Sequence, residues 1–146
     1  MIVDSHCHLT YEPMSKALCE TIHRANKCGV KYMLTISTED KSFEQILKIV
    51  NSYESVYGTY GIHPHEAKSH QHIKSDDIIN KVNQNKKIIG IGETGLDFYY
   101  NHSEKKDQIY SFEEHISAAQ EKNLPLIVHT RSAEKETLQI LEKHSK

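Results

Sequence analysis

Short apolar runs alternate along this chain with longer segments whose apolar residues recur at helical spacing. Runs at 2–8, 30–37, 56–62, 88–92 and 124–129 predict five strands. Ile88-Ile89-Gly90-Ile91 and Leu126-Ile127-Val128 show the near-continuous hydrophobicity of strands covered on both faces. Between them, 14–27 predicts a helix with Leu18, Ile22 and Ala25 on one face, stopped by Gly29. Ser42-x-x-Gln45 reads as a capping box opening a second helix with Phe43, Ile46, Leu47 and Val50 inward. Residues 75–83, 104–122 and 133–143 predict three more, the clearest being 104–122 with Ile109, Phe112, Ile116 and Ala119 in helical register. The polar, histidine-rich stretch 67–74 predicts a loop.

Five strand–helix units in unbroken alternation predict an α/β fold with a parallel sheet in one domain, 1–146. A closed eight-stranded barrel takes typically about 250 residues, so five units cannot close one. Composition adds mainly exclusions. The formal net charge is −2 and no run of five like charges occurs, which argues against a disordered charged tail or a broad basic clamp on nucleic acid. The apolar runs are too short to span a bilayer, and the first residues lack an export signal, so no membrane partner is expected. Three cysteines, Cys7, Cys19 and Cys28, form no C-x-x-C pair, which favours a reducing compartment and a cytoplasmic location.

The strand ends carry the chemistry. His6 and His8 stand at i and i+2, so on a strand both imidazoles share a face, half of a divalent-metal site or else a hydrogen-bonded pair. Asp4 shares that face and could hold a ring N–H. Cys7 points the other way and reads as a packed thiol. Glu93 ends the fourth strand ahead of Thr94-Gly95, where the glycine allows a sharp turn. Its carboxylate could bridge two ions, or be a surface or capping group. Asp97 is a weaker candidate that could equally be a turn residue. His129 emerges from the apolar fifth strand, and Arg131 two residues on offers a planar fork to a phosphate. His63 and His65, flanking Pro64, suit substrate contact or support rather than ligation. His23, His70, His72, His102, His115 and His144 read as solvated.

The phrases Asp4-Ser5-His6-Cys7-His8-Leu9, Tyr60-Gly61-Ile62-His63-Pro64-His65, Ile91-Gly92-Glu93-Thr94-Gly95-Leu96-Asp97-Phe98-Tyr99 and 125–133 around His129 together resemble the TatD-type metal-dependent deoxyribonucleases. The resemblance covers essentially the whole chain but about five-eighths of a family barrel. It implies a (β/α)8 TIM barrel, incomplete here with strands six to eight absent. It also implies a two-metal site for Mg, Mn or Zn, with His6 and His8 on one ion, Glu93 bridging and His129 on the second. Arg131, His63 and His65 would then lie near the scissile phosphate, with Asp4 and Asp97 behind the ligands. The implied activity is hydrolysis of DNA phosphodiesters by a metal-activated water, as a 3′–5′ exonuclease on single strands. The family draws two further ligands, a histidine and an aspartate, from strands six and eight, so a complementing polypeptide is a possible partner. His115 and Ser132 stand where relatives often carry glutamine and aspartate.

Two other readings remain open at this level. A small-molecule amidohydrolase or phosphoesterase can use the same scaffold, because fold does not fix substrate. A shortened chain could also be an inactive metal-binding remnant, or one half of a split enzyme whose exposed sheet edges pair with another chain.

Overall fold

The computed structural model describes residues 1–145. Five parallel strands, β1 (Ile2–Cys7), β2 (Val30–Thr35), β3 (Val56–Tyr60), β4 (Ile88–Asp97) and β5 (Leu126–Arg131), form one sheet in the order of the chain. Each strand is followed by a helix: α1 (Leu18–Lys27), α2 (Phe43–Ser52), α3 (Ser75–Val82), α4 (Lys105–Lys122) and α5 (Glu134–Lys143). A doubly wound sheet reverses its strand order part-way. This one never does, which is the arrangement of a barrel segment. The sheet curls into an incomplete barrel with β1 and β5 as its edges.

Apolar strand residues and helix stripes meet in one principal core. Met33, Val56, Tyr60, Ile88 and Ile91 from the strands pack with Ile22, Phe43, Ile46, Ile78 and Ala118 from the helices. A smaller cluster of Leu96, Phe112, Ile116 and Ala133 secures β4 to α4 and to the start of α5. Among the described residues, no helix is long and apolar enough to cross a membrane.

The structure departs from the sequence reading at four places. Residues 67–74 are not all loop: a 3₁₀ helix runs from Pro64 to His70, where proline sits in the first turn and the ring of His63 accepts from the His65 N–H. The Ser42 capping box does not form. A 3₁₀ turn, Asp40–Ser42, precedes α2, and the Ser42 hydroxyl donates to the Glu39 carbonyl instead. His115 is not solvated but 1% exposed, and His70 and His144 are partly buried, leaving His23, His72 and His102 exposed. The largest departure is β4, which continues five residues beyond Gly92 to Asp97.

Thr94-Gly95 therefore makes no turn. Gly92 (φ +125°) and Gly95 (φ +133°) adopt backbone conformations that side chains rarely tolerate; Gly95 stays within the ladder, and Gly92 lies at a register shift between Ile91 and Thr94. A Cβ on Gly92 would lie 2.4 Å from the Ile127 carbonyl oxygen, and one on Gly95 would lie 2.1 Å from that of His129. Only glycine lets β4 and β5 approach so closely. Gly95 pairs with His129 and Asp97 with Arg131, which carries two carboxylates of β4 alongside the histidine of β5.

Candidate metal centre

Glu93 lies at the middle of the site. It is 9% exposed, and its N–H donates to the Ser37 carbonyl at the end of β2 (2.8 Å). The carbonyl before it accepts from the Thr59 hydroxyl of β3, so three strands fix its backbone. One carboxylate oxygen, Oε2, faces His6 Nε2 at 3.6 Å and His8 Nε2 at 4.0 Å. The other, Oε1, faces His129 Nδ1 at 3.3 Å. His6, His8 and Glu93 form one group whose ligand atoms all lie within 4.8 Å of one another, and His63, Glu93 and His129 form a second.

These spacings fit cations. At 3.6 and 4.0 Å the His6 and His8 nitrogens are too far from Glu93 for good hydrogen bonds. Two ligands each about 2.1 Å from a tetrahedral ion are about 3.4 Å apart, so these spacings are close to what one ion would require. His8 Nδ1 is buried with no partner. Burial holds the His8 pKa below its ordinary value, against the pull of Glu93, which favours the neutral ring a metal needs. Zn, Mn and Mg all accept carboxylate, and the imidazoles favour the first two.

Asp97 is the structural surprise of the site. It is 1% exposed, and its Oδ2 meets His65 Nε2 at 2.8 Å and His129 Nε2 at 3.2 Å. Its Oδ1 accepts the N–H groups of Tyr99 (3.1 Å) and Tyr100 (3.0 Å), so it also anchors the turn that follows. Burial works to raise its pKa, but the Tyr100 amide and the two histidine rings outweigh burial and hold it down at about 2. An ionised Asp97 on one ring nitrogen of His129 leaves the other free to face Glu93, the usual arrangement of a metal-bound histidine and its supporting carboxylate.

Asp4 does not take the role expected of it. Its Oδ1 accepts the backbone N–H of His6 (3.2 Å), so it braces the strand end rather than a ring N–H. Cys7 behaves as expected: its thiol donates to the Leu34 carbonyl (3.3 Å), and burial, with the Asp4 charge, pushes its pKa up to about 12. Cys7 belongs to neither group of candidate ligands.

His63 sits closer to the centre than expected, its ring centroid 4.4 Å from that of His129. Burial, then the neighbouring His129 and His65, lower its pKa to about 3, so the ring is neutral. Its Nδ1 accepts from the His65 N–H (3.2 Å), which leaves the proton on Nε2. In that tautomer His63 is a donor towards a bound anion. Arg131 is exposed, and its guanidinium lies 4.4 Å from the Tyr99 ring centre and 4.5 Å from that of Tyr100. A cavity of about 250 Å³ opens beside the cluster, lined in part by His8, Tyr11, His63, His65 and Glu93. A larger one, about 610 Å³, lies among Met1, Ile22, Tyr32 and Tyr53 near the N-terminal ends of the first three strands, with no cluster of ligating groups.

Sequence reasoning missed two residues that hold the site. Gln108 of α4 is fully buried. Its Oε1 accepts the Asp97 N–H (2.8 Å), and its Nε2 donates to the carbonyls of Asp97 (3.0 Å) and Ser103 (2.8 Å). His115 accepts the Ile62 N–H on Nε2 (3.0 Å) and donates from Nδ1 to the Ser111 carbonyl (2.6 Å), fixing the backbone that leads into His63.

Residues 3–146 match the family described as TatD related DNase. An uncharacterized metal-dependent hydrolase of Buchnera aphidicola subsp. Baizongia pistaciae is 35% identical over 99% of this chain and 55% of its own length. The 3′-5′ ssDNA/RNA exonuclease TatD of Salmonella typhimurium is 32% identical over 95% of this chain and 53% of its own. Among solved structures, the TatD homologue YjjV of Escherichia coli K12 superposes with a TM-score of 0.90 at 25% identity, covering 98% of this chain and 56% of that one. The chain thus spans about half the length of the relatives it matches.

Proposed function

The chain belongs to the TatD related DNase family, and from that premise we propose that it acts as a metal-dependent hydrolase of DNA phosphodiesters, cutting single strands from the 3′ end. The observation that carries the reading is the sharing of Glu93, one oxygen towards His6 and His8 and the other towards His129. His6, His8, Glu93 and His129 would hold divalent cations there. Such ions would supply Lewis acidity and an ionised water at neutral pH.

The chain's own residues do the rest. Asp97 fixes the His129 ring and, on the same oxygen, that of His65. The Nε2–H of His63 donates to a non-bridging phosphate oxygen in the cavity, where its lowered pKa keeps it neutral. Arg131 offers charge and a planar fork to the neighbouring phosphate. The cavity's 250 Å³ has room for one phosphodiester group with its sugar.

In this reading a further segment pairs with the edges β1 and β5 and covers them, while the ligands already present carry the activity. Exposed Ile2 and Val3 on β1 and Val128 on β5 support it. A sharp, cooperative melt of the chain as a monomer would count against that part.

The test is degradation of a 5′-labelled single-stranded oligonucleotide by the purified chain with Mg²⁺, Mn²⁺ or EDTA, alongside Glu93→Ala and His129→Ala. Metal-dependent shortening from the 3′ end, lost in both variants, is expected. Shortening that persists in EDTA, or in both variants, would overturn the proposal.

A further inference from the structure

Two of the most exposed large side chains in the molecule stand together beside the metal centre. Tyr99 is 62% exposed and Tyr100 is 49% exposed. Their ring centroids are 4.9 Å apart with the planes perpendicular, and the Arg131 guanidinium lies over both. No carboxylate lies within ion-pair distance of Arg131 among the described residues. Apolar surface and an uncommitted charge are thus presented side by side.

The backbone beneath them is rigid. Asp97 Oδ1 accepts both tyrosine amides, and Gln108 grips the Asp97 backbone at its N–H and its carbonyl. The other neighbours of Tyr100 are His102, nearly parallel at 5.7 Å, and His65, edge-on at 5.6 Å. His65 in turn shares Asp97 with His129. A continuous line of rings therefore runs from the metal ligands to the exposed tyrosines.

We propose that Tyr99, Tyr100 and Arg131 form a seat for an unpaired nucleobase and its adjoining phosphate. The proposal deepens the nuclease reading, on which it rests, by naming what holds the strand next to the scissile bond. A ring held by its backbone and open on its surface loses little freedom when a base stacks on it, and every base has a π-face to offer. The guanidinium is planar and pairs with phosphate through its N–H fork while its face stays on the tyrosines. Bases inside a duplex are already stacked on one another, so the seat selects single strands. The chemistry is tolerant of sequence, because stacking reads no base edge.

The test measures binding apart from cleavage. Fluorescence anisotropy in EDTA compares a labelled oligothymidylate, an abasic strand of equal length and a duplex, with the wild-type chain and with Tyr99→Ala, Tyr100→Ala and Tyr99→Phe. Each alanine variant is expected to bind the oligothymidylate roughly 5- to 150-fold more weakly. Wild type should lose a similar factor on the abasic strand, and the alanine variants should lose little more there. Tyr99→Phe should bind as wild type does, and duplex should bind as weakly as the abasic strand. Equal wild-type affinity for base-bearing and abasic strands, or alanine variants that bind the oligothymidylate normally, would overturn the seat. Cleavage without base-dependent binding removes the seat and leaves the nuclease. Base-dependent binding without cleavage removes the nuclease and leaves the seat.

Discussion

Lowering the pH should strip the chain of a defined part of its stability through one residue, His115. Its ring is sealed inside α4, with Nε2 accepting the Ile62 N–H and Nδ1 donating to the Ser111 carbonyl. A second proton would have to sit on Nε2, facing a donor, in a place water cannot reach. Burial accordingly holds the pKa at about 4, with the Ser111 carbonyl opposing it weakly. In the unfolded chain the ordinary value of 6.5 returns. A histidine whose folded pKa is depressed contributes stability above its unfolded pKa and loses it as pH falls towards the folded one. The interval between 6.5 and about 4, at about 1.4 kcal/mol per pH unit, comes to roughly 3 kcal/mol.

Substitution isolates that contribution. The amide of His115→Gln offers an oxygen to the Ile62 N–H and an NH2 to the Ser111 carbonyl, and it does not titrate. Urea denaturation followed by circular dichroism, at intervals from pH 7.5 to 4, gives stability against pH for both proteins. His63, also depressed, titrates in both and cancels in the difference. Wild type should lose roughly 3 kcal/mol more than His115→Gln between pH 6.5 and 4. Parallel curves would refute the argument, because they would mean the buried ring accepts a proton without cost.

Asp97→Asn removes the charge that orients His129 and His65 while keeping the side chain's shape, and should weaken Zn²⁺ or Mn²⁺ binding roughly 10- to 100-fold by calorimetry; unchanged affinity would show that Asp97 serves only the turn. Gly95→Ala would set a Cβ 2.1 Å from the His129 carbonyl oxygen at φ +133°, and should cost about 3 kcal/mol or more in the same denaturation assay. A Gly95→Ala protein as stable as wild type would mean that β4 and β5 can part without penalty.

The strands were legible because parallel strands draw on nearly unbroken apolar runs, even though the edge strands β1 and β5 are partly exposed here. The clustering of His6, His8, Glu93 and His129 was legible because each ends or follows such a run. The extension of β4 was hidden by Thr94-Gly95, which reads as a turn in one dimension. Only the packing of β5 shows why glycine is needed inside the strand. The 3₁₀ helix after His63 was masked by polar composition, although Pro64 in its first turn is an ordinary starting signal. Gln108 and His115 were overlooked because polar residues on a helix are first read as solvated. Yet 108, 111, 112, 115, 116 and 119 form one stripe at helical spacing, and all six are buried. A polar residue within such a stripe calls for a hydrogen-bond partner, and both have one.

The same two strands explain why His129, rather than Glu93 alone, decides what the centre can do. Glu93 and Asp97 stand four residues apart on β4, and each meets a different nitrogen of the His129 ring. A neutral imidazole has one N–H to give, and here two carboxylates face it. Asp97 has the stronger claim on that N–H, since its charge is locked in by burial-resistant hydrogen bonds from the tyrosine amides. The lone pair on Nδ1 is then turned towards Glu93, where two negative partners without a cation between them repel. That mismatch is removed by positive charge, either a second proton on the His129 ring or a cation at the Glu93 side, and the His6–His8 pair faces the other oxygen of the carboxylate. The pairing of β4 with β5 thus assembles a group that could hold a cation, and Gly95, which pairs with His129 and allows that approach, shapes it as much as the candidate ligands do.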